Sequence, residues 1–118
     1  MSQVKIKRQF RVVSATIATA TASCTTLRLE DMASAVVQLP TLASSGAVIQ
    51  VWGNTTDTGT FTQCYGSDGS AATITVPANS TNVGTTVALP SAAYGLAYAK
   101  LVAVSTNATA AATVILKS

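Results

Sequence analysis

Along most of this chain apolar and polar residues alternate with a period of two. Between Thr25 and Glu30, Leu27 and Leu29 fall on one side of an extended backbone and Arg28 and Glu30 on the other, the pattern of a half-buried strand. The same beat, carried mainly by Val, Ile, Leu and Thr, runs through Ala35 to Leu39, Ala47 to Gly53, Gly59 to Tyr65, Ala72 to Val76, Thr85 to Leu89, Tyr98 to Val104 and Thr113 to Lys117, with an earlier strand near Phe10 to Ala18. Asn54 to Gly59 reads as a polar hairpin loop, Gly66 to Gly69 as a turn and Pro77 to Gly84 as a longer loop, while Pro40 and Pro90 close strands they cannot continue. Only Asp31 to Val37 and Ser91 to Ala97 have the composition of a short helical turn. The alanine-rich Ala108 to Ala112 is flanked by Thr and β-branched residues and leads into a strand. The pattern predicts an all-β domain, an antiparallel sandwich of eight or nine strands.

Some strands break the alternation by carrying apolar residues on both sides. Ile49 and Val51 share one face of their segment, and Val48 and Trp52 flank Gln50 on the other; Ala99 and Leu101 oppose Tyr98, Val102 and Val104. A two-layer sandwich buries one face of each strand, so the second apolar face needs cover from a loop, from the N-terminal segment or from a neighbouring subunit.

At 118 residues the chain has room for one core of this kind. Residues 1–22 form a basic N-terminal arm or a first strand, and 23–118 the sandwich. Charged residues make up 9% of the sequence, against about 25% in an average soluble domain. Thr, Ser, Asn and Gln take their place, giving a wettable surface with little self-repulsion, suited to association. The net charge of +3 is concentrated at one end, because Lys5, Lys7, Arg8 and Arg11 come with no acid among them. Such an arm suits an acidic protein surface first, then solvent, and nucleic acid last, since nucleic-acid binders spread basic residues over a whole face. The stretch from Phe10 to Cys24 has the outline of a secretory leader, but Ser14, Thr16, Thr19 and Thr21 interrupt it at strand spacing. No run is long enough for a membrane-spanning helix.

The inventory for catalysis is nearly empty. There is no His, which excludes a Ser-His-Asp triad, and the acids Glu30, Asp31, Asp57 and Asp68 have the positions of cap and turn residues. Asp57 and Asp68 lack the spacing of a calcium loop, and Cys24 and Cys64 have no close-spaced partner for zinc. No enzyme, metal or cofactor is expected. The cysteines read as free thiols if the chain matures in the cytosol and as one disulfide if it matures in an oxidising compartment. Trp52, Phe61 and Tyr65 gather around the hairpin at 54–59; such rings pack a core or present a sugar platform. Trp52, Tyr65 and Tyr98 are the candidate surface contacts.

The stretch Val48-Ile49-Gln50-Val51-Trp52-Gly53-Asn54-Thr55-Thr56-Asp57-Thr58-Gly59-Thr60-Phe61 resembles a pattern in small virion proteins of tailed bacteriophages, in which an Asp/Gly hairpin follows a strand and an aromatic opens the next. Val87-Ala88-Leu89-Pro90 and then Tyr94-Gly95-Leu96-Ala97-Tyr98-Ala99-Lys100-Leu101 resemble the closing segment of the same proteins. The resemblance covers 23–118 and leaves out the arm. It implies a jelly-roll-like sandwich of the capsid decoration or cement type, made in the host cytoplasm and carried on the capsid surface. Its implied partners are the major capsid protein and further copies of itself, as a dimer or trimer, with no nucleic acid or membrane. A tail-fibre or carbohydrate-binding module is the alternative.

Overall fold

The computed structural model describes residues 9–40, 46–77 and 84–118. Nine antiparallel strands lie among them: β1 (Phe10–Ile17), β2 (Leu27–Arg28), β3 (Ser34–Leu39), β4 (Val48–Asn54), β5 (Thr62–Gln63), β6 (Thr73–Thr75), β7 (Thr85–Ala88), β8 (Tyr98–Ala103) and β9 (Ala110–Lys117). They form two sheets, one of four strands in the order β1-β9-β3-β7 and one in the order β2-β8-β4-β5, with β6 also paired to β4. Antiparallel partners nest along the chain: β4 with β5 and β6, β3 with β7, β2 with β8, and β1 with β9. A long two-stranded ribbon closed at the hairpin after β4 has therefore been rolled so that its pairs alternate between two layers, bringing β9 against β3 and β8 against β4. That is the topology of a jelly roll.

Alternation sets which side chains go inside. Ala35, Val37 and Leu39 of β3, Ile49 and Val51 of β4, Ala99 and Leu101 of β8, and Val114 and Leu116 of β9 are all buried between the sheets. Leu27 and Leu29 are buried while Arg28 and Glu30 are exposed, as the period of two requires. The side of the sandwich where β1 meets the other sheet is closed by hydrogen bonds between the two layers. Thr16 exchanges hydrogen bonds with Thr25, through its own N–H to Oγ1 at 2.8 Å and from the Thr25 N–H to its carbonyl at 3.2 Å, and the Ala103 N–H reaches the Ala18 carbonyl at 2.8 Å.

Two elements differ from the sequence reading. Asp31 to Val37 is not helical: Met32 N–H bonds the Leu29 carbonyl in a tight turn, and the alternation of Ala35, Val37 and Leu39 carries β3 from Ser34 onward. β9 starts at Ala110 rather than Thr113, because its alanines lie opposite the end of β1, Ala110 against Ile17 and Ala112 against Ala15. The strand expected near Phe10 to Ala18 is present as β1 over Phe10–Ile17, an integral strand of the sandwich. The turn at Ser91–Gly95 is present as a 3₁₀ helix. Of the expected loop from Pro77 to Gly84, residues 78–83 lie outside the described residues, as do Lys5, Lys7 and Arg8 of the basic segment.

Candidate interaction surfaces

The two outward faces of the sandwich differ in chemistry. On the four-stranded sheet the register aligns one residue from each strand in a row: Val12 opposite Ile115, Ile115 opposite Val36, and Val36 opposite Ala88. Parity turns all four away from the core, and Ile115 and Val36 are half-buried. A second row, Ser14, Thr113, Gln38 and Thr86, is neutral and polar. Phe10, 63% exposed, lies opposite Lys117, whose ammonium sits 5.9 Å from its ring centroid. Lys117 is the one charged side chain on this face among the described residues. Val12 is 55% exposed.

The outer face of the other sheet is partly roofed by the segment after β1. Lys100 fastens that roof: its ammonium donates to the Thr21 carbonyl at 2.9 Å and lies 4.6 Å from the centre of the Phe61 ring. The Cys24 thiol donates toward the carbonyls of Ala18 and Ala20, at 3.4 Å each, inside the same segment. Between roof and sheet runs an open groove of about 500 Å³ lined by Thr19 to Ala22 on one side and Gln50, Trp52, Val102 and Val104 on the other. The Trp52 indole N–H donates to the Gln50 side-chain oxygen Oε1 at 3.0 Å, which orients its ring at the groove. Loop cover thus accounts for Val102, which is buried, but leaves Val104 exposed.

The sequence-derived site residues that lie among the described residues are scattered by the fold. Arg11 is turned onto its own chain, donating to the Arg28 carbonyl at 2.6 Å and lying 3.7 Å from the Asp31 carboxylate. Trp52 is half-buried, whereas Tyr65 is exposed at the edge of the sheet, its hydroxyl 3.3 Å from the Gln63 side-chain oxygen. Tyr98 belongs to a polar corner with Arg28 and Glu30, which form an ion pair at 3.1 Å. Its phenol is held above the usual range chiefly because it hydrogen-bonds Glu30, with partial desolvation and the negative charge of Glu30 and Asp57 adding to the effect. Three of the four acids therefore gather at this corner, which is why the broad faces are so nearly neutral. Among the described residues no cluster of three or more His, Cys, Asp or Glu could hold a metal ion, and Cys24 and Cys64 are both free and buried.

The row on the four-stranded sheet escaped sequence reasoning, although the signal for it was present. Val36 between Ala35 and Val37, and Ile115 between Val114 and Leu116, break the alternation in the same way as the strands singled out from the sequence. Comparison of the chain with family models, with curated proteins and with solved structures found no match in any of the three. The surfaces therefore have to be interpreted from their own chemistry.

Proposed function

We propose that this protein is a structural subunit of a bacteriophage virion, one that decorates or cements the capsid by bridging neighbouring major capsid subunits. The observation that carries the reading is the nearly uncharged outer face of the four-stranded sheet with its apolar row. Isolated apolar residues on a surface are ordinary, but a contiguous row across every strand of a sheet fits a surface that another protein covers. Jelly rolls serve in capsid and lectin domains alike, so the fold is compatible with the role and does not select it; the phage assignment draws on the resemblance in 48–61 and 87–101. Each contact can be small in such a role, because a lattice repeats it many times. The test is co-sedimentation with empty heads. Ile115→Lys and Val36→Lys point a charge outward from the sheet and are expected to abolish head binding while leaving the thermal unfolding midpoint within a few degrees. Unchanged binding by both variants would remove this face from the function.

The groove at Trp52 favours one second reading, a carbohydrate-binding module. An oriented indole beside neutral hydrogen-bonding groups is the chemistry that stacks on and orients a sugar ring. Glycan-array binding abolished by Trp52→Ala, together with no affinity for heads, would select it.

A further inference from the structure

Among the described residues the exposed edge of β1 is unlike every other sheet edge. β2, β5, β6 and β7 are two, two, three and four residues long, whereas β1 runs for eight residues with an uninterrupted register against β9. Proteins normally blunt an open edge with short strands, proline, bulges or charge, because its unpaired N–H and C=O groups are a template for another strand. On β1 the direction of those groups can be worked out. Ser118 N–H donates to the Gln9 carbonyl at 3.0 Å, so the alternation of an antiparallel ladder turns the backbone groups of Arg11, Val13, Ala15 and Ile17 toward β9. Those of Phe10, Val12, Ser14 and Thr16 point the other way. Thr25 takes the pair on Thr16, and among the described residues nothing takes the pairs on Phe10, Val12 and Ser14. The strand contains no proline or glycine, and its one charge, Arg11, is drawn off to the Arg28 carbonyl and Asp31.

We infer that β1 pairs with β1 of a second copy, antiparallel about a twofold axis through Val12, joining two four-stranded sheets into one of eight strands. This inference stands on the edge geometry and does not depend on the virion reading. A second copy fits this edge for a specific reason. With Val12 opposite Val12 of the partner subunit, Phe10 falls opposite Ser14 of the partner subunit, and a large ring meets a small side chain on both sides of the axis. All three open residues then find their donors and acceptors at once, as an isologous contact requires. The apolar row Ala88, Val36, Ile115 and Val12 continues without a step into its symmetry copy. Antiparallel pairing also puts the two Gln9 residues at opposite ends of the contact. Strand pairing alone buries less than the roughly 1,000 Å² of a permanent interface, so the dimer is reversible and concentration-dependent.

Sedimentation of the full chain from the micromolar to the millimolar range tests this. The expected result is a weight-average mass that climbs toward twice the monomer's, with amide exchange at Phe10, Val12 and Ser14 slowing in step. Val12→Pro removes the central outward N–H without touching the ladder to β9, since proline is tolerated at edge positions whose N–H faces away, and it should hold the protein monomeric. Val12→Lys and Val12→Glu provide a variant pair that keeps the backbone intact. Each alone should lose the dimer through like charges across the axis, and an equimolar mixture should recover it as a heterodimer. A wild-type mass that stays monomeric throughout overturns the inference, as does a dimer untouched by all three substitutions. Monomeric wild-type protein whose binding to heads is lost in Val12→Pro would assign the edge to a strand of another protein and overturn the pairing of copies.

Discussion

Gly53 faces the core from β4, and a methyl group added there would overlap the end of the Leu96 side chain and come within 3.2 Å of the Cys64 sulfur. No left-handed backbone is involved at this position; the requirement is space alone. Leu96 is half-buried and its end can swing aside, so Gly53→Ala should destabilise the fold by about 1 kcal/mol, the low end of the cost of overpacking, in a chemical-denaturation experiment. Gly95 is the control: it has open space around its missing side chain and an ordinary backbone, and Gly95→Ala should be neutral or stabilising by about 0.4–1 kcal/mol through the unfolded chain. Cys64, on the far side of the same contact, has its thiol pushed up by burial. The folded state thus keeps the proton that the unfolded state gives up first. Stability from this group is present below the unfolded thiol's pKa and is lost as pH climbs from there toward the folded value. Alkylation of Cys64 in the native protein should be much slower than in urea, with the difference narrowing at alkaline pH.

Among the elements, Lys100 shows how one side chain can hold a whole segment. Its hydrogen bond to the Thr21 carbonyl and its place over Phe61 tie the roof to β8. Lys100→Ala should cost about 1–2 kcal/mol, less than a fully buried charged hydrogen bond because the site is only half-buried. The more telling readout is Cys24, which should become reactive toward thiol reagents well before global unfolding as the roof loosens.

Strands with strong alternation were legible in advance: Ile49 and Val51 against Gln50, and Leu27 and Leu29 against Arg28, went to the sides that their spacing demands. Strand length was less legible, because it depends on partners far along the chain. Thr25 to Glu30 contracts to Leu27–Arg28 because Thr25 spends its N–H on Thr16, in the other sheet. Gly59 to Tyr65 similarly contracts to Thr62–Gln63. The run from Ala110 becomes strand because β1 lies beside it, which no local propensity of alanine indicates. The candidate surface was the least legible part. An alternation pattern tells which residues face out, but only the register across four strands shows that Val12, Ile115, Val36 and Ala88 stand in line.

For the molecule as a whole, the nested ribbon means that the first and last of the nine described strands are each other's partners. β1 leaves the ribosome roughly a hundred residues ahead of β9, a wait on the order of ten seconds at ordinary rates of synthesis. During that interval neither β1 nor β3 has the strand that will lie between them in the finished sheet. Pairings of large sequence separation also carry the largest loop-closure cost, so they come late even in the complete chain. The hairpin joining β4 to β5 and β6 can close early, and assembly is expected to proceed outward from it. Nascent chains stalled with residues up to 109 emerged should show protease protection around β4 and β6 and ready cleavage within β1. Extending the stalled chain past Lys117 should protect β1 in one step. The low charge that lets the finished faces associate leaves this waiting strand with little electrostatic defence, so aggregation during refolding should grow with chain concentration and be relieved by trapping β1 before β9 is released.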